Sequence, residues 1–125
     1  MAEKADSFKA QSWIDGKPFN AAGATSEKLL SPWDNSLVAT VSMADKPTIN
    51  KAVASSRSAF QKSRQVTPAV RADWLRRAAD EIDHIKDNIA ETTMCALGKP
   101  RRACGVEAGR VSQLMRLCAE ELLRM

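Results

Sequence analysis

No stretch of this chain is apolar for long enough to span a membrane, and its first ten residues contain no hydrophobic run of the kind that opens a secretory signal. Histidine occurs once, at His84, and the cysteines Cys95, Cys104 and Cys118 include no Cys-x-x-Cys pair. A zinc site needs closely spaced thiolate and imidazole donors, so no metal centre is expected. An odd number of cysteines with no signal segment reads as reduced, partly buried thiols in a cytoplasmic protein. A nucleophilic cysteine needs a neighbouring base or an electropositive helix start, and only Cys104, soon after Pro100, meets part of that. The glycines are scattered at 16, 23, 98, 105 and 109, which leaves no glycine-rich turn to cradle a phosphate. No aromatic residue interleaves with Arg76-Arg77 or Arg101-Arg102, and the net charge is only +4. Those basic pairs read as solvated helix faces, and no nucleic-acid partner is expected.

What remains is the composition of a globular protein, 44% apolar and 27% charged over 125 residues, enough for one domain with a modest core. Residues 1–10 are polar and read as a disordered tail. From Gln11 to Phe19, an Asp15-Gly16 pair between short apolar runs predicts a β-hairpin. Residues 20–25 read as a small-residue loop. Leu29-Leu30 predicts a strand that ends in the turn Ser31-Pro32-Trp33-Asp34-Asn35. Leu37 to Met43 alternates and is rich in β-branched residues, which predicts another strand. Asp45 then caps a helix with Pro47 in its first turn and Ile49, Ala52, Val53, Ser56 and Phe60 on one face. Thr67-Pro68 opens a second helix with a stripe of Val70, Trp74, Leu75, Ala78, Ile82, Ile85 and Ile89. The polar run around Asp83-His84 and Lys86-Asp87-Asn88 leaves two readings of that stretch before Leu97, one helix or two. A last helix has Ala103, Val111, Leu114, Cys118, Leu122 and Met125 as its inner side. It meets no glycine, asparagine or proline to stop it, which reads as a domain cut at its C-terminal end.

Between the last two helical patterns stands Gly98-Lys99-Pro100, with Glu107 following. Glycine suits the left-handed position after a helix, and proline the start of the next. The block is similar to the "GKP…E" joint of the aldehyde dehydrogenase superfamily, and other stretches agree in order and spacing. Trp13-Ile14-Asp15-Gly16 resembles the family's opening hairpin. Ser31-Pro32 through Val38-Ala39-Thr40-Val41 resembles its first strand pair, and Ala52-Val53 through Ala59-Phe60 resembles "AVxxAxxAF". Arg71, Leu75, Ala79 and Asp80 follow "RxxxLxxxAD". Two departures stand out: Ser63 replaces a usual tryptophan, and Ala96 replaces an acidic residue that some members use for a monovalent cation.

The resemblance implies an α/β enzyme with a Rossmann-like NAD-binding domain, of which residues 11–125 are the truncated amino-terminal part. The segment itself is α+β: a hairpin and strands, then three to four α-helices. Aldehyde oxidation needs a thiolate, oxyanion donors, a base for water and a nicotinamide acceptor. In the family those groups lie beyond the length of this chain, and no Gly-Gln-x-Cys segment occurs here. The implied protein is therefore a fragment of an NAD(P)-dependent aldehyde dehydrogenase, which converts an aldehyde to a carboxylate or an acyl-CoA using NAD or NADP. Alone, the chain is expected to be inactive, with no catalytic, cofactor-binding or metal residue. The complete enzyme is expected to be a homodimer or homotetramer, and the fragment to self-associate. A non-catalytic helical interaction module, or a degenerate remnant of the family, is the alternative.

The resemblance also assigns roles to single residues. It makes Phe60, Trp74, Ile82 and Ile85 core residues against a cofactor-binding sheet. Arg71 is expected in a salt bridge at its helix start, and His84 in solvent. It places Glu107, Arg110 and Val111 beside the aldehyde entrance. Arg110 holds the position of an arginine in members that act on anionic aldehydes, and a guanidinium suits a phosphate or carboxylate. The bland alternative is an Arg110 paired with Glu107 one turn earlier.

Overall fold

The computed structural model describes residues 8–19 and 24–124, with side chains from Ala10 onward. These fall into two compact units that meet in sequence between Arg64 and Gln65.

The first unit opens with strand β1 (Phe8–Ala10), followed by β2 (Ser12–Ile14), β3 (Lys17–Phe19), β4 (Ser26–Leu30) and β5 (Leu37–Ser42). Strands β2 and β3 form the expected hairpin, with Ser12 opposite Phe19 and Ile14 opposite Lys17. Asp15 and Gly16 both have positive φ, 56° and 70°, the type I′ geometry that matches the twist of the flanking strands. Strand β5 is the centre of a three-stranded sheet, antiparallel to β4 and parallel to β1, and its Ala39 is completely buried. Between β4 and β5 the chain turns tightly. Asn35 N–H donates to the Ser31 carbonyl at 3.0 Å, and the Asp34 carboxylate accepts from Ser36 N–H at 3.0 Å.

Strand β1 corrects the tail reading for its three residues; residues 1–7 lie outside the described residues, as do 20–23 of the loop. Its pairing runs through backbone groups along the open edge of β5, with Phe8 beside Ala39 and Ala10 beside Val41. Side-chain polarity carries no signal for such edge pairing.

Helix α1 (Lys46–Ser63) starts where expected: the Asp45 side chain accepts from Thr48 N–H at 2.8 Å, with a proline in the first turn. Asp15 in the hairpin turn accepts a hydrogen bond from Ser55, and Lys51 Nζ lies 4.1 Å from the centre of the Phe19 ring. Thr48 is the buried residue of this helix, while Ile49, Val53 and Phe60 stand in solvent.

The second unit is a helical hairpin. Helix α2 (Pro68–Leu97) begins at Thr67 with proline in its first turn. It ends at Gly98, whose φ of 66° and ψ of 19° are left-handed and whose N–H donates to the Met94 carbonyl. Helix α3 (Arg101–Arg124) starts on the Pro100 carbonyl, which accepts from Ala103 N–H at 2.9 Å. The polar stretch around His84 does not divide α2, so the described residues contain three helices rather than four. It contains neither glycine nor proline, and its polar groups find partners in the helix. His84 Nδ1 lies 2.7 Å from the Asp80 carbonyl, and Asp83 faces α3.

The seam between α2 and α3 is made of small side chains. Ala72, Ala79 and Ala90 of α2 are buried, as are Cys104, Ala108, Ser112 and Ala119 of α3. Small residues let two helix backbones approach closely, since interaxial distance follows the side chains at the contact. Ile89 and Met94 pack over the Ala90–Cys104–Ala108 cluster. The expected inner side of α3 is therefore displaced. Val111, Leu114 and Cys118 are exposed, Ala103 and Leu122 are half-buried, and Met125 lies outside the described residues. The expected core residues are likewise open in this chain: Phe60 is 58% exposed, Trp74 42% and Ile85 49%, with Ile82 half-buried.

Candidate functional site

Lys99 and Glu107, the two ends of the joint between α2 and α3, are bound to each other. Lys99 Nζ donates to both carboxylate oxygens of Glu107, at 2.9 and 3.0 Å. Those bonds, together with the attraction of the carboxylate, raise the Lys99 pKa above its ordinary value. The geometry follows from the backbone. Left-handed Gly98 turns the chain back, Pro100 begins the next helix, and Glu107 lies two turns along it on the side facing Lys99. Glu107 is thereby committed to bracing the joint.

Arg110 lies on the next turn and does not pair with Glu107. It is exposed, and among the described residues it has no ion-pair or side-chain hydrogen-bond partner. With Pro100, Arg102, Ala103, Val106 and Glu107 it lines a shallow, open depression beside the start of α3. Two guanidinium groups thus flank an apolar floor with one carboxylate at its edge. Val111 does not line it, because one residue along a helix turns a side chain by about 100°. Of the three expected substrate-side residues, the structure brings Glu107 and Arg110 to one surface and leaves Val111 off it. Arg102 joins them unforeseen. Its position, two helical turns before Arg110, is the signal that could have found it.

A second polar cluster went unread in the sequence. Ser112, buried in the seam, donates to Asp83 Oδ1 at 2.6 Å. Arg116 reaches Asp80 and Asp83, each at 2.7 Å, and Arg76 reaches Glu120 at 2.7 Å. The Ser112 hydroxyl, with Arg116, holds the Asp83 carboxyl below its ordinary range, and Arg76 does the same for Glu120. These groups fasten α2 to α3 and hold no open position for a ligand.

The remaining reactive side chains are placed structurally. Cys104 is buried, its thiol 3.9 Å from the Lys99 carbonyl, and it lies against Ala90 and Ala108 rather than a base. Cys95 is half-buried and Cys118 exposed, both as free thiols. Arg71 forms no salt bridge among the described residues; its Nε is buried without a hydrogen-bond partner. The expected helix-start pair is thus not formed among the described residues, where Asp73 binds Arg77 instead.

The glycines among the described residues serve the backbone of turns and helices. Gly16 forms the hairpin turn, Gly98 caps α2, and Gly105 and Gly109 sit inside α3 with their backbone in helical hydrogen bonds. No run of free N–H groups remains among them to meet a pyrophosphate.

Comparison with known proteins agrees with the order of these elements. The model of the aldehyde dehydrogenase family matches residues 19–125. A 2-aminomuconic 6-semialdehyde dehydrogenase of Pseudomonas sp is 31% identical over 91 residues, covering 72% of this chain and 18% of that protein. A 3-sulfolactaldehyde dehydrogenase of Priestia aryabhattai is 31% identical over 103 residues, 81% of this chain and 21% of that protein. The crystal structure of an NAD-dependent aldehyde dehydrogenase from Sinorhizobium meliloti superposes with a TM-score of 0.88 at 26% identity, over 93% of this chain and 24% of that one. The chain therefore spans about a fifth of the length of the curated relatives it matches.

Proposed function

This chain belongs to the aldehyde dehydrogenase family, and we propose that it serves as the amino-terminal part of an NAD(P)-dependent enzyme that oxidises an aldehyde to a carboxylate or an acyl-CoA. The observation that carries the reading is the joint itself: left-handed Gly98, Pro100 at the start of α3, and the Lys99–Glu107 brace. In the proposed enzyme a bound nicotinamide would supply the hydride acceptor. This chain contributes neither the nucleophile nor the phosphate cradle, and its own part is to shape one wall of the substrate approach.

On that wall Arg110 is proposed to receive an anionic group of the aldehyde, with Glu107 and Val111 as its neighbours on the same stretch of helix. The reading is supported by the unpaired guanidinium above an open depression. Two relatives, an aminomuconic semialdehyde dehydrogenase and a sulfolactaldehyde dehydrogenase, are also named for aldehydes that carry an acid group. An arginine held ready by a helix suits such a group better than a lysine, because its planar fork donates two parallel hydrogen bonds.

The test is a chimera in which residues 19–125 replace the matching segment of the Sinorhizobium meliloti enzyme. NADH formation is then followed with aldehydes of similar size, neutral or anionic. The 125-residue chain alone should form no NADH, whereas a folded chimera should. In the chimera, Arg110→Ala should lower kcat/KM for anionic aldehydes by about 2–4 kcal/mol of transition-state binding and leave neutral ones nearly unchanged. Equal losses for both classes would make Arg110 scaffold. NADH formation by the chain alone would overturn the assignment of the catalytic groups to the rest of the enzyme.

A further inference from the structure

The buried residues of the α2–α3 seam are alanines, Cys104 and Ser112. Contacts between small apolar groups have no preferred direction. The alanines and Cys104 therefore fix how closely the helices approach, but not how α3 is turned about its own axis. A hydrogen bond does have a direction and weakens steeply away from it. Ser112 Oγ donates to Asp83 Oδ1 at 2.6 Å, and with 2% of the residue exposed, water has little access to replace that bond. The other links across the seam, Arg116 to Asp80 and Arg76 to Glu120, run through long side chains partly in solvent, which can follow a rotation by changing rotamer.

Arg110 stands two residues after Ala108 and two before Ser112, both buried in the seam. At about 100° per residue, it lies opposite the midpoint of that pair. Whatever holds Ser112 inward therefore points Arg110 outward. The link is also short in the chain: Ser112 Oγ lies 3.1 Å from the Gly109 carbonyl, the peptide group that leads into Arg110. Gly105 and Gly109 soften this part of α3, since glycine restrains the backbone less than any other residue. We propose, on the substrate reading given above, that Asp83 acting through Ser112 is a positioning residue for Arg110. The bond across the seam fixes the rotation of α3, and with it the place where the guanidinium meets an anionic aldehyde. A rotation of about 20° displaces a group about 6 Å from the helix axis by about 2 Å. Misplacement by about 1 Å can already cost on the order of a hundredfold in rate. Neutral aldehydes have no group for Arg110 to hold, so the bond protects selectivity for the anion rather than turnover as such.

Backbone hydrogen exchange of the 125-residue chain tests the geometry without any substrate. Ser112→Ala and Asp83→Ala should each speed exchange over residues 109–113 about tenfold, the effect of losing one buried hydrogen bond on local opening. Asp83→Asn keeps an oxygen that accepts from Ser112 and should stay close to the parent. Glu120→Gln, which weakens the Arg76 link two turns further on, should leave residues 109–113 unchanged. In the chimera carrying residues 19–125, Ser112→Ala and Asp83→Ala should lower the ratio of kcat/KM for anionic over neutral aldehydes about tenfold. Neutral aldehydes should still turn over, which shows that each variant folds, and Asp83→Asn should recover the ratio. Added to Arg110→Ala, Ser112→Ala should change the ratio no further, because both act through one guanidinium. Equal losses for both classes of aldehyde, or a further loss in the double variant, would overturn the proposal. A ratio untouched by Arg110→Ala itself would instead sink the substrate reading and, with it, the role in selectivity. Exchange that rises uniformly along α3, or not at all, would remove Asp83 and Ser112 as the pin whatever the ratio does.

Discussion

Ala79→Leu should weaken the α2–α3 hairpin by about 1–3 kcal/mol, the usual cost of forcing extra methylenes into a packed contact. Ala79 is completely buried, as are Ala72 and Ala119. Three added carbons at such a position have no void to enter, and the helices must part to admit them. Parting strains the polar links that depend on close approach, foremost the 2.6 Å bond from Ser112 to Asp83 and the 2.7 Å contacts of Arg116. The hairpin unit of roughly 60 residues has on the order of 3–9 kcal/mol of total stability at the usual 0.05–0.15 kcal/mol per residue. The substitution therefore removes a large share of it. Urea unfolding followed by helical circular dichroism, at one fixed protein concentration, would show the loss as a lower midpoint with the slope retained. Thr92→Leu, on the exposed side of α2, is the control and should move stability by no more than about 0.5 kcal/mol. If Ala79→Leu proves as stable as the parent, or Thr92→Leu is equally harmful, the seam is not the close-packed contact described above.

At the end of α2, Gly98 has a φ of 66°, so Gly98→Ala should cost about 1 kcal/mol or more while Gly98→Asn costs less; chemical denaturation distinguishes them. Asp83 and Glu120 are held below their ordinary values of 3.8 and 4.5. Their contribution is therefore present above those values and lost as pH falls through the lower folded ones. Stability should be level from neutrality to about pH 5 and decline below about pH 4, with a shallower decline in Asp83→Asn. Finally, Trp74, Ile85, Val111 and Leu114 present apolar surface to solvent in this chain, so it should bind an apolar dye such as ANS and melt over a broad, concentration-dependent range. A sharp melt of a monomer, independent of concentration, would refute that expectation.

The parts of the fold that were legible in the sequence are those fixed by single residues acting on their own backbone. Asp15-Gly16, Asp45, Thr67 and Gly98 each specify a local conformation whatever lies nearby, and each stands in the structure at the turn or helix end it announces. The edge strand Phe8–Ala10 was not legible, because its pairing depends on an open β5 edge distant in sequence. Whether α2 divides was open in the sequence, because its polar run is compatible with a break or with a cross-helix partner. Asp83 is polar because it crosses to Ser112 and Arg116, a role that a single helix pattern does not reveal.

The α3 seam shows why hydrophobic periodicity pointed to the wrong side. Periodicity weighs side chains by apolar size, and on that scale Val111, Leu114 and Leu122 outrank Ala108, Ser112 and Ala119. Yet two helices that close on each other need small residues at the contact, and the large ones are then turned elsewhere. The structure follows the second rule: Cys104, Ala108, Ser112 and Ala119 are buried and Leu114 is open. The same rotation decides the candidate site. With the small residues turned inward, Arg110 faces outward with Arg102 over the depression at the start of α3, while Val111 is carried away from it. The identity of Arg110 was readable from its spacing to Glu107, but its freedom was not. That freedom depends on Lys99, which occupies the Glu107 carboxylate from the far side of a glycine turn and leaves the arginine without a partner among the described residues.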